Sequence, residues 1–401
     1  MQKPATRLVT LAPSLRLRQS GTFDVHRWYQ GAVRAPAIRV LRRALQNSPV
    51  LKRVLRNSDY WIDRQRHSLA VDFPVLIQPQ PKLLTVAITA KCNLRCVGCR
   101  YGRDFMSGQQ LPLKIVVDLL HDANDAGFQT VRLYGGEPLL HRDLAAMIRA
   151  GRNLGLNPVI TTNGLLLGGK IQELYDAGLR ALSIGFYGTS GAYDQYVQRP
   201  GSYDKLERSV AGVRDRYGMD VQMQINYLLA KPSCNLTSLK QALDFAERYK
   251  TRFQVDIVHY SLPYFSEGVD RELQFTPSDQ GPLDEIVQHL LKFKAENPEL
   301  YPEPVPSIRS IPDWAVKGPN MRVPCNAYRL IWVGADGTVQ LCYVTFKLGN
   351  LHQTRLRDML FSGEHKEACR DAFALKCPNC HCERDGRIQT HAESQRIYNP
   401  S

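Results

Sequence analysis

The chain has no apolar run approaching the roughly 18–20 residues that a transmembrane helix needs. No compact apolar segment follows the first residues, which argues against a secretory signal. Low-complexity tracts and internal repeats are absent, apart from an alternation of strand and helix patterns described below. Acid is scarce at one end: residues 1–80 hold fourteen Lys or Arg, four Asp and no Glu, a surplus of ten positive charges. The remaining residues carry a surplus of only four, so the body is near neutral and no nucleic-acid partner is expected. Hydrophobic content of 43% and charged content of 22% are ordinary for a globular protein, and 401 residues suffice for one large domain and a smaller one. Ten cysteines in a chain of this length do not resemble a small disulfide-stapled scaffold; their clustering reads as metal ligation in an intracellular enzyme. A cytoplasmic location is expected.

The basic N-terminal stretch reads as a loose arm over 1–25, then two short amphipathic helices between Val33 and Asn57. Ile38, Leu41 and Leu45 share a face of the first; Leu51, Val54 and Leu55 line the second, restarted at Ser48-Pro49. Several readings stay open for this pair: peripheral contact with an anionic membrane surface, contact with an acidic partner, or a solvated cap on the main domain, while the Arg-rich, acid-poor composition also mimics a transit peptide.

From residue 81 the text alternates strands (84–89, 130–134, 158–162, 181–186, 221–229, 253–259) with helices, several closed by Gly. Repeated βα units imply a parallel sheet, and six strands favour a partial (β/α)6 TIM-like barrel over residues 81–296, its chemistry at the C-terminal strand ends. Residues 297–324 are Pro-rich and read as a linker. Residues 325–401 read as a small Cys-rich α+β domain with a hairpin at Ala335-Asp336-Gly337. Residues 1–80 form the basic helical extension.

The most informative motif is Cys92, Cys96 and Cys99, spaced C-x3-C-x2-C after the first strand. Three thiolates are one short of a closed zinc site and one short of a fully ligated [4Fe–4S] cluster, and that open position is what a reactive centre needs. One βα unit later stands Tyr134-Gly135-Gly136-Glu137-Pro138, where two glycines let backbone approach a ligand beside a carboxylate. Asn163 ends the third strand, Ser183 lies in the fourth, and Arg199 follows. Near the C-terminus come Cys325, Cys342, Cys377, Cys380 and Cys382; Cys234 and Cys369 stand alone and read as buried thiols. Asp256, His259 and Tyr260, along and just beyond the sixth strand, and Tyr264 and Phe265 after it, are the substrate-side candidates.

On Cys92-Asn-Leu-Arg-Cys96-Val-Gly-Cys99 and Gly135-Gly-Glu-Pro, residues 82–260 resemble the radical S-adenosylmethionine superfamily. The resemblance implies that the three cysteines hold a [4Fe–4S] cluster whose fourth iron binds S-adenosylmethionine. It implies that one electron then releases a 5′-deoxyadenosyl radical that abstracts hydrogen from substrate. A low-potential electron donor of flavodoxin or ferredoxin type follows from this. It places Gly135, Gly136 and Glu137 at the cofactor's amino group, Arg199 at its carboxylate, and Asn163 and Ser183 at matching motif positions. Two departures stand out: Gly98 sits where the family usually has an aromatic residue near the adenine, with Tyr101 a substitute, and Gly185 stands where an acid follows the serine.

The C-terminal cysteines resemble the family's SPASM domain or its shortened twitch form. That implies one auxiliary [4Fe–4S] cluster on Cys325, Cys342, Cys377 and Cys380, with Cys382 as substitute or free thiol. A four-cysteine zinc site is the alternative. The expected function is hydrogen abstraction from a small-molecule or lipid-linked biosynthetic substrate with an oxidative outcome. The rivals are modification of a ribosomal peptide, transfer of the cofactor's 3-amino-3-carboxypropyl group, and a non-catalytic zinc scaffold.

Overall fold

The structure, a computed structural model, describes residues 49–101, 106–259, 271–342 and 345–399. The arm at 1–25, the helix expected at 33–47, and Tyr260, Tyr264 and Phe265 lie outside the described residues.

Chain order gives α1 (Pro49–Ala70), β1 (Leu83–Thr89), α2 (Leu113–Ala126), β2 (Thr130–Gly135), α3 (Leu144–Asn153), β3 (Asn157–Thr162), α4 (Ile171–Asp176), β4 (Ala181–Phe186), α5 (Ser190–Val197), α6 (Ser202–Tyr217), β5 (Gln222–Leu229), α7 (Leu236–Arg248) and β6 (Arg252–Ile257). Then come α8 (Gln280–Glu296), α9 (Val305–Arg309), α10 (Ile311–Lys317), β7 (Leu330–Val333), β8 (Thr338–Gln340), β9 (Lys347–Asn350), α11 (Leu356–Met359), α12 (Gly363–Phe373), α13 (Arg384–Thr390) and α14 (Ala392–Tyr398). The nine strands form one sheet in the order β6-β5-β4-β3-β2-β1-β7-β8-β9. All pairings from β6 to β7 are parallel, and β7-β8-β9 are antiparallel. This is the α/β architecture of a partial barrel.

Parallel strands covered on both faces usually read as continuous apolar runs. Here they alternate. Val131 and Leu133, Leu182 and Ile184, Met223, Ile225 and Tyr227, Phe253 and Val255 are buried in the core shared with the helices. The opposite face carries Arg132, Ser183, Gln224, Asn226, Gln254 and Asp256. Helices therefore cover one face only, and the other is a polar lumen.

Three expectations need correction. Residues 297–324 are not an open linker: they form α9 and α10, which bury Ile308, Ile311 and Trp314. Their prolines sit in the first turn of each helix, where a missing N–H costs nothing, so they start helices here. The C-terminal hairpin is also not a separate layer, because Leu83↔Leu330 to Val86↔Val333 pair β7 directly with β1. At the N-terminus, the helix expected to stop near Asn57 runs to Ala70.

Candidate functional site

The cysteine loop leaves β1 at its C-terminal end and is tied down on three sides. Gly136 N–H donates to Thr89 O (2.8 Å) and Glu137 N–H to Lys91 O (2.8 Å), which fastens the loop to the end of β2. The two glycines make this possible. A Cβ at Gly135 would strike the Thr89 carbonyl, and one at Gly136 would strike the carbonyls of Ala90 and Lys91. Gly135 also holds φ +141, which glycine accommodates without strain. On the second side, Val97 N–H donates to Tyr196 O (2.9 Å) and Arg95 N–H to Val197 O (3.4 Å), both from α5, a helix the sequence pattern did not reveal. Within the loop, Cys99 N–H donates to Cys96 O (3.2 Å) across a turn in which Gly98 holds φ +78. That left-handed turn is a physical reason for glycine at the position where the pattern expected an aromatic ring.

Asn93 makes the third tie, and sequence reasoning missed it. Its side-chain oxygen accepts from Asn163 Nδ2 (2.8 Å), and its carbonyl accepts from Arg199 Nη1 (3.2 Å). Asn163 and Arg199, singled out separately, thus meet at the residue beside Cys92. Glu137 is fully buried. Its Oε1 accepts from Thr162 Oγ1 (2.7 Å) and Leu139 N–H (3.0 Å), and its Oε2 from Asn163 N–H (2.8 Å). Burial pushes its carboxyl up, against the pull of these three donors. The carboxylate is thereby committed to joining the ends of β2 and β3, with acceptor capacity left on Oε2. Burial also pushes the Cys92 thiol up to about 11, with the Glu137 carboxylate adding to it, although the residue keeps solvent contact.

Around the loop stand aromatic rings. Tyr187 stacks on Tyr196 at 4.4 Å and lies at 5.6 Å from Tyr193. Tyr101 is buried in a small cluster with Ala87, Ala90, Trp332 and Ala335, against which Cys99, Met106 and Tyr134 pack. Its hydroxyl accepts from Ala335 N–H (3.3 Å) and faces Met106 Sδ (3.2 Å). Ser183 opens onto the lumen: Asn226 Nδ2 donates to its Oγ (3.0 Å), and Gln224 Nε2 reaches both Asn226 (2.8 Å) and Gln254 (2.7 Å). Gln254 in turn donates to Asp256 (3.3 Å), whose carboxyl is pushed up by burial against the nearby Arg132 and Arg384.

The five C-terminal cysteines line one cavity with about 480 Å³ of empty space, including space open to solvent. Arg387, entirely buried, shapes it: its guanidinium donates to the carbonyls of Cys380 and Val323 and to Asn379 Oδ1 (3.2 Å), and lies over the Trp314 ring at 4.7 Å. A hydrogen bond from Cys382 lowers the Cys380 thiol to about 7, with Arg387 contributing, while burial raises Cys325 to about 11. His259, one of the substrate-side candidates, lies among C-terminal residues. Its Nε2 lies 3.8 Å from Cys382 Sγ and its ring 4.1 Å from that of His381, at the edge of this cavity. Cys234 is half-buried, whereas Cys369 is fully buried on α12. Among the described residues no three His, Cys, Asp or Glu side chains converge tightly enough to hold a single metal ion.

Comparison with known proteins agrees with this geometry. Residues 86–232 match the family model described as the Radical SAM superfamily. Among curated proteins, the chain is similar to the GTP 3′,8-cyclase of Helicobacter pylori (strain ATCC 700392 / 26695), with 23% identity over 264 residues, covering 65% of this chain and 79% of that protein. It is also similar to the AdoMet-dependent heme synthase of Methanosarcina barkeri, with 31% identity over 170 residues, 42% of this chain and 47% of the relative. In fold it resembles Streptococcus suis SuiB bound to S-adenosylmethionine, with TM-score 0.55 and 16% identity over 84% of this chain and 76% of that one.

Proposed function

This chain belongs to the radical SAM superfamily, and from that premise we propose that it reductively cleaves S-adenosylmethionine and abstracts hydrogen from a polar biosynthetic substrate with an oxidative outcome. The observation that carries the reading is the convergence of Cys92, Cys96 and Cys99 with Glu137, Asn163 and Arg199 through Asn93. The donor set fits a [4Fe–4S] cluster: three thiols on one loop, with an open side. Cys92, Cys96 and Cys99 would hold the cluster, which would supply the one-electron chemistry for cleavage of S-adenosylmethionine and hydrogen abstraction from substrate. The chain's own residues position. Arg199 is exposed and reaches the loop, as a partner for a carboxylate must. Glu137 fixes Asn163 and, through its own N–H, the loop at Lys91.

For the second site we favour an auxiliary cluster on four of Cys325, Cys342, Cys377, Cys380 and Cys382, which would accept the electron that an oxidised substrate gives up. A zinc ion needs thiolates about 3.8 Å apart, since Zn–S is about 2.3 Å in a tetrahedron. A cavity lined by five cysteines leaves room for a cluster, which is bulkier than a single zinc ion. Cys382 lines the same cavity as the other four, which keeps it as a substitute for one of them. The amide-rich lumen of Gln224, Asn226 and Gln254 favours a hydrogen-bonding small molecule, or the polar head of a lipid-linked one, as substrate. A cytoplasmic enzyme drawing electrons from a flavodoxin or ferredoxin completes the proposal.

Anaerobic reconstitution followed by product analysis tests it. 5′-Deoxyadenosine under reduction supports hydrogen abstraction. Methylthioadenosine instead means transfer of the aminocarboxypropyl group, and zinc without acid-labile sulfide sinks both enzymatic readings. About eight irons per chain are expected for two cubane clusters.

A further inference from the structure

Helix α1 buries charged and polar side chains beside Ala70 while leaving bulky apolar ones exposed. Its protein-facing side is polar: Asp63 and His67 are buried, Asp63 pairing with Arg329 and Arg66, and His67 lying 2.7 Å from the Tyr328 hydroxyl. Its outward side exposes three bulky apolar side chains among the polar Asp59, Gln65 and Ser68. Trp61 is 59% exposed, Ile62 and Leu69 more than half exposed, and the segment that follows adds Val71, Phe73 (60%) and Val75. Among the described residues ten large apolar side chains are exposed in all, and seven fall between 61 and 76. A globular helix ordinarily turns such a stripe inward. Burying charge while wetting Trp and Phe is unfavourable unless something else covers the apolar side.

Charge indicates what covers it. The chain leading into this face, residues 1–56, carries twelve Lys or Arg and a single acid. Aromatic and aliphatic anchors that directly follow a cationic segment in the sequence match the boundary of an anionic bilayer, where rings sit at headgroup depth and Lys and Arg meet phosphate. A second copy of this chain, itself carrying a formal net charge of +14, is electrostatically the less favourable occupant. The position also fits. Arg329 and Tyr328 immediately precede β7, and Gln80 and Lys82 N–H groups bond the carbonyls of Tyr328 and Arg329, so α1 sits at the N-terminal ends of β1 and β7. The cysteine loop lies at the other end of β1.

We propose that the face formed by Trp61, Ile62, Leu69, Val71, Phe73 and Val75 docks the enzyme onto an anionic lipid surface, with the cysteine site at the opposite end of the barrel. This surface is independent of the chemistry proposed above, and its test needs no turnover. Full-length protein is mixed with vesicles of phosphatidylcholine, alone or with one-third phosphatidylglycerol, and sedimented. Binding to the anionic vesicles only, weakened by salt, is expected. A Trp61→Ser/Phe73→Ser variant should bind at least about tenfold more weakly with unchanged melting temperature, since both side chains are exposed. Vesicles should blue-shift the fluorescence of the protein but not of Trp61→Phe. No sedimentation with anionic vesicles overturns the proposal. Binding that the double variant retains also overturns it, as does a concentration-dependent dimer that the double variant splits, which would assign the face to a second copy.

Discussion

Glu137 illustrates what a buried carboxylate does before any ligand arrives. Three protein donors converge on it, so Glu137→Gln must turn its amide N–H toward at least one of them. Such a mismatch costs about 1–3 kcal/mol. The variant should show a lower melting temperature and, because Asn163 and the cysteine loop shift with it, roughly tenfold weaker S-adenosylmethionine binding by calorimetry. Alanine at Cys92, Cys96 or Cys99 should instead leave folding intact and abolish 5′-deoxyadenosine formation; retained cleavage would refute the central reading. At this scale the sequence was legible where residues form a contiguous motif. Asn93 was invisible because its importance comes from Asn163 and Arg199, which lie 70 and 106 positions away.

Among the elements, those with strict periodicity were readable: β5 and β6 alternate, and α7 buries Leu239, Ala242, Leu243 and Ala246 at helical spacing. α9 and α10 were hidden because their prolines resemble a linker in composition and act as helix starts in space. α1 misled in another way, because its buried side is held by ion pairs. Burial works against the Asp63 charge, and Arg329 and Arg66 outweigh it, holding the carboxyl below its ordinary range. Asp63→Ala, which strands Arg329, should cost roughly 3–5 kcal/mol in urea unfolding. The pair's contribution is present above the unfolded carboxylate's pKa and is lost as pH falls through the lower folded value. Where β1 and β2 end, Gly136→Ala should displace the loop and reduce iron incorporation, measured as iron per chain, with overpacking costing about 1–3 kcal/mol.

Across the whole molecule, several histidines are held neutral by burial. His67 is lowered to about 3 and His365 to about 4; His365 Nδ1 accepts from Phe361 N–H (3.0 Å) and needs its lone pair. Unfolding lets both take up protons near their ordinary pKa of about 6.5. Stability should therefore be level above that pH and fall progressively toward pH 4, visible as a declining melting temperature in calorimetry. The two proposed cluster sites should also separate: Cys325→Ala/Cys380→Ala should leave about four irons per chain and preserve cofactor cleavage. The sequence divided the chain into a barrel and an appended domain. The structure joins them, since strand pairing between residues nearly 250 positions apart leaves no local trace in sequence.

That joint has a consequence during synthesis. β1 is an interior strand whose two neighbours, β2 and β7, begin at Thr130 and Leu330. A nascent chain emerging at about 5–20 residues per second therefore carries the Cys92–Cys99 loop on a strand with one bare edge for much of its translation. Bare edges invite mispairing. The last quarter of the chain thus closes the flank of the first strand, and a product truncated before Leu330 would leave its first cysteine loop on an unfinished sheet.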